Sequence, residues 1–97
     1  RDAAPEAVAA QTALVEAFLA VELERSRKWL RRASTEPPEW YDVARLFDSQ
    51  LLITAAELAE LNDAVDRLLE PYRKRTRTDP PSDARTVSIH YKALPLE

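Results

Sequence analysis

The stretch LLITAAELAELNDAV, residues 51–65, decides the fold. Its first three residues close an alternating run, and the rest has a helical period. Thr54-Ala55-Ala56-Glu57 has the S/T-x-x-E form of a capping box. In that box the Thr hydroxyl accepts from the Glu57 backbone N–H, and the Glu57 carboxylate accepts from the Thr54 backbone N–H. Loss of such a cap costs about 1 kcal/mol. Beyond it, Leu58, Leu61, Val65, Leu68 and Tyr72 recur at helical spacing, with Leu69 beside them. This predicts a helix with one apolar seam and acidic residues elsewhere. Pro71 removes a helical hydrogen bond, which predicts a kink or an end there, with Arg73-Lys74-Arg75 as a fraying last turn.

Upstream, RLFDSQLLI (45–53) alternates imperfectly, with Phe47, Ser49, Leu51 and Ile53 on one side, and reads as a strand. Downstream, RTVSIHYKAL (85–94) is the clearer strand pattern. Val87, Ile89, Tyr91 and Ala93 share one face; Ser88, His90, Lys92 and Leu94 share the other. Two proline-containing loops separate the elements, STEPPEWYD (34–42) and TRTDPPSDA (76–84). Trp40 and Tyr41 are expected to anchor the first loop on the core.

From Pro5 to about Ala33 the chain reads as one long helix. Pro5 suits the first turn, where a missing N–H costs nothing, and the alanine-rich sequence that follows favours helix. Val8, Val15, Phe18, Trp29 and Ala33 form one stripe, edged by Leu14, Leu19, Val21 and Leu30. A helix this long with an apolar stripe, in a small domain, packs on a partner helix, often from a second copy. The expected assembly is a homodimer, with Val15, Phe18, Glu22 and Trp29 at its interface. Gln11 and Glu22 interrupt the stripe. Glu22 lies beside Arg25 and Ser26 and has two open readings: a carboxylate paired with a nearby donor, or one that senses a ligand or sets register. The expected fold is a single α+β domain over residues 1–97: long N-terminal helix, strand, second helix, C-terminal strand. The two strands would form a two-stranded sheet, with parallel, antiparallel and intermolecular pairing all open.

Composition narrows the function. The net charge is −3, which argues against a dedicated nucleic-acid binder. That total conceals segregation: residues 1–24 sum to −4, 25–35 to +5, 36–70 to −7, 71–78 to +4 and 79–97 to −1. The basic runs RSRKWLRR and YRKRTR read first as solvated ends of acidic helices, where cations meet the negative end of the helix dipole. Glu24 and Lys28 form a favourable i,i+4 pair there. The other reading of the basic runs is phosphate contact beside a neighbouring DNA-binding domain. With no Cys there is neither a disulfide framework nor a thiolate metal site, and with no Gly there is no glycine-rich phosphate loop. No apolar run reaches the roughly 20 residues that span a bilayer, so no membrane partner is expected and a cytoplasmic location fits. Arg1 is not a residue that follows removal of an initiator Met, which predicts a preceding segment.

Catalysis finds no support. His90 is the sole histidine, so a zinc site would need carboxylates for its other ligands. Ser88 lies two residues away without a context that activates it. No catalytic residue, metal ligand or cofactor contact is expected. The phrase ITAAELAEL also has the vocabulary of the first helix of a DNA-reading helix-turn-helix. Such a motif needs a turn and a short second helix. Here the seam runs on without a break, and the polar face carries Glu57, Glu60, Asp63, Asp66 and Glu70, which phosphates would repel.

In order and spacing, three pieces of the sequence resemble a known family: Leu52 to Leu61, Pro71-Tyr72-Arg73, and Ala84-Arg85 to Pro95. The resemblance is to the C-terminal half of actinobacterial winged-helix regulators of the arsenical-resistance (ArsR-like) type. It covers roughly 55 residues directly. Ile53, Ala55 and Asp83 depart from that group's usual residues, and without Cys the metal sensing does not carry over. The resemblance implies a C-terminal dimerisation and effector region, with a DNA-binding winged helix upstream of Arg1 contacting DNA. An unidentified small-molecule effector would meet Glu22, Trp40, Tyr91 or His90. The alternatives are a small-molecule-binding domain or an interaction adaptor outside transcription.

Overall fold

A computed structural model describes residues 4–97 of the chain. Arg1, on which the expectation of a preceding segment rests, lies outside them. The described residues fall into two units, divided between Phe47 and Asp48.

The first unit is dominated by α1 (Pro5–Arg32). Ala4 precedes it without a side-chain cap, and Pro5 occupies the first turn, where its missing N–H leaves no helical bond unmade. A single 3-10 turn, Ala33–Thr35, tightens the C-terminal end, and Thr35 Oγ1 donates to the Arg32 carbonyl at 2.7 Å. The segment expected to be a loop then holds one helical turn, α2 (Pro38–Tyr41), started by Pro38. Tyr41 stacks on Trp29 with ring centroids 6.2 Å apart, so the aromatic of α2 does tie the segment to the preceding helix.

The second unit is built on α3 (Ala55–Leu69). Thr54 lies in the extended region at φ −84°, and both halves of the capping box are made. Glu57 N–H donates to Thr54 Oγ1 at 3.0 Å, and Thr54 N–H donates to Glu57 Oε1 at 2.9 Å. The α-helix ends at Leu69, and Pro71 sits in a 3-10 turn, Glu70–Tyr72. Arg73-Lys74-Arg75 therefore lies beyond the helix instead of forming its last turn. Among the described residues of this glycine-free chain, one takes a positive φ, Asp79 at 52°, a conformation its short side chain tolerates better than most.

The α+β expectation is overturned. Among the described residues there are helices and no strand, so there is no two-stranded sheet. Residues 45–53 and 85–94 both lack regular structure. The backbone bonds outside the helices are short-range turn and cap contacts, none of them joining those two segments. The reason is physical. Helical hydrogen bonds close within a segment, whereas a strand exists only where a second backbone supplies a ladder. Alternation also implies a strand only where one face is covered, and Phe47, Leu51, Ile89 and Leu94 are all exposed. A lone pair of strands would in any case be marginal in water.

The seam of α3 is also one residue off the expected line. Leu58, Asn62, Ala64, Val65 and Leu69 are its half-buried positions, while Leu68 is 72% exposed. The C-terminal segment explains part of this, because Tyr91 Oη donates to Asn62 Oδ1 at 2.7 Å.

Candidate functional site

No described residue is buried, and the exposed large apolar side chains include Val8, Val15, Phe18, Leu19 and Leu30 along α1. An apolar patch beyond a few hundred Å² on a soluble protein marks an interaction surface. The candidate site is therefore a face, not a cleft.

On α1 that face changes character along its length. Val8, Val15 and Phe18 are open to solvent, Phe18 at 62%. From Glu22 onward, Glu22, Ser26, Trp29 and Ala33 are half-buried and share one side of the helix. Ser26 Oγ donates to Glu22 Oε2 at 3.1 Å, so the carboxylate in the stripe has a local partner, though from Ser26 rather than an arginine. All four residues expected at a dimer interface, Val15, Phe18, Glu22 and Trp29, fall on this single face.

The α1–α2 corner contains a residue that the sequence did not single out. The Glu36 side chain is 6% exposed and accepts from Arg32 Nε at 3.2 Å. Tyr41, Leu30, Ala33, Pro38 and Glu36 line a wide, solvent-open hollow of about 470 Å³ here. Only the i,i+4 spacing of Arg32 and Glu36 hinted at the pairing.

The expected effector contacts are divided between the two units. Glu22 and Trp40 belong to the first unit, His90 and Tyr91 to the second. None of the four lines the hollow. Tyr91 serves as a hydrogen-bond donor to α3.

The basic runs are partly neutralised by their own chain. Arg31 pairs with Glu24 at 3.3 Å, seven residues away, in place of the expected Lys28–Glu24 pair. Arg73 reaches Glu70 at 3.1 Å and Asp66 at 3.9 Å, and the Arg77 guanidinium lies 5.4 Å from the Tyr72 ring centre. Exposed pairs of this kind contribute at most about 1 kcal/mol each. Among the described residues no cluster of His, Cys, Asp and Glu could hold a metal, and no helix is long and apolar enough to cross a membrane. No family model, curated protein or solved structure matches the chain.

Proposed function

We propose that this chain is the C-terminal dimerisation and effector region of a bacterial winged-helix transcriptional regulator. In this reading it acts without catalysis in the cytoplasm, and DNA is contacted by a separate N-terminal domain. The observation that carries the reading is α1: a 28-residue helix whose apolar face is open over Val8, Val15 and Phe18 and only half-covered from Glu22 to Ala33. The ordered phrases Leu52 to Leu61, Pro71-Tyr72-Arg73 and Ala84-Arg85 to Pro95 supply the link to regulators. The last of these lacks regular structure and is bonded to α3 through Tyr91; it is not a strand. An effector in this reading would meet Glu22, Trp40, Tyr91 or His90.

Two measurements test it. Sedimentation equilibrium of the chain should give twice the monomer mass in the micromolar range; a monomer at high micromolar concentration sinks the dimer. The coding sequence directly upstream should encode a winged helix, and the longer protein should bind promoter DNA as a two-fold complex. An upstream sequence of another class removes the transcriptional assignment and leaves the dimer untouched.

A further inference from the structure

The charge pattern of α1 specifies how two copies would meet. Val8, Val15, Glu22 and Trp29 are spaced by seven, and so are Gln11, Phe18, Arg25 and Arg32. Together they form an unbroken 3-4 seam along the helix, the two core positions of a heptad repeat. The only acid in the seam is in the first set, and both bases are in the second.

In a parallel pair each core position faces its own copy. Glu22 would then face Glu22, Arg25 would face Arg25 and Arg32 would face Arg32, in layers that exclude water. In an antiparallel pair the first set faces the second. Glu22 can then meet only Gln11, Phe18, Arg25 or Arg32, and no like charges oppose one another in any register. We infer that α1 pairs with α1 of a second copy in antiparallel orientation, with Glu22 opposite Arg25 and Phe18 opposite Trp29. The two-fold axis passes between Leu23 and Glu24. This register gives two opposite-charge layers and two aromatic layers, and Arg32 lays its apolar stem along Val15.

The local geometry suits this arrangement. Glu22 Oε2 accepts from Ser26 Oγ, which leaves the second carboxylate oxygen for another donor. Arg25 also takes part in an interaction within its own chain. Phe18 is open, at 62% exposure, and Val15 at 48%. The register rests on the self-association proposed above, so the experiment separates the two.

The chain has no Cys, so single spin labels at Ala13→Cys and Glu24→Cys are unambiguous. In the inferred register the label at 13 lies about 32 Å along the axis from its copy, and the label at 24 about 2 Å. The distance at 13 should therefore clearly exceed that at 24. Comparable distances at both sites mean a parallel pair and overturn the inference while keeping the dimer. No intermolecular coupling at high micromolar concentration removes the dimer itself, and the register with it. Charge reversal is the second arm. Glu22→Lys should weaken association about tenfold by facing Arg25 with a cation. The double variant Glu22→Lys, Arg25→Glu should recover the native affinity to within about threefold. Circular dichroism checks that α1 stays helical, which Lys at position 22 favours. A double variant as weak as the single one refutes the Glu22–Arg25 layer.

Discussion

Truncating Phe18 is the most direct challenge to the role assigned to α1. Phe18 is 62% exposed in the chain. A phenylalanine carries roughly 200 Å² of surface, so roughly 120 Å² awaits a partner. Replacing Phe18 with Ala removes about 80 Å² of that open apolar area. At about 25 cal/mol per Å² this is about 2 kcal/mol per protomer. A symmetric pair loses it twice, about 4 kcal/mol, which is about a thousandfold in the dissociation constant. The entropy of bringing two chains together is common to both proteins and cancels in the comparison. Alanine is also the better helix former, so weaker association cannot be blamed on a weaker helix. Sedimentation equilibrium over a wide concentration range measures the effect, with Ala20→Ser, on the opposite side of α1, as the control. A Phe18→Ala protein that associates as tightly as the native chain would refute the assignment of this stripe to self-association.

Two further predictions concern the second unit. Thr54→Ala should destabilise α3 by about 1 kcal/mol, since both capping bonds pass through Thr54 and Glu57. Amide exchange at Glu57 and Leu58 should accelerate, and unchanged exchange there contradicts the cap. Tyr91→Phe removes the bond to Asn62, worth about 1 kcal/mol, and should free the C-terminal segment. Trypsin should then cut faster after Lys92; an unaltered rate means that the bond does not hold the segment.

Much of the helical structure was legible because its signals are local. Pro5 and the alanines after it announced α1, and Thr54 and Glu57 announced the start of α3. Both start where the sequence puts them, because a cap and an i,i+4 bond involve only residues within one turn. The strands were not legible, because alternation describes side chains while a strand is defined by a backbone partner. Residues 51–53 and 87–89 both lack regular structure, so neither alternation becomes a ladder. The candidate site divides the same way. The shared face of Val15, Phe18, Glu22 and Trp29 follows from spacing alone, as does the separation of acid and base along the α1 seam. The near-complete covering of Glu36, the stacking of Tyr41 on Trp29 and the inward turn of Leu69 in place of Leu68 do not. Those depend on where a neighbouring segment comes to rest, and only tertiary packing decides that.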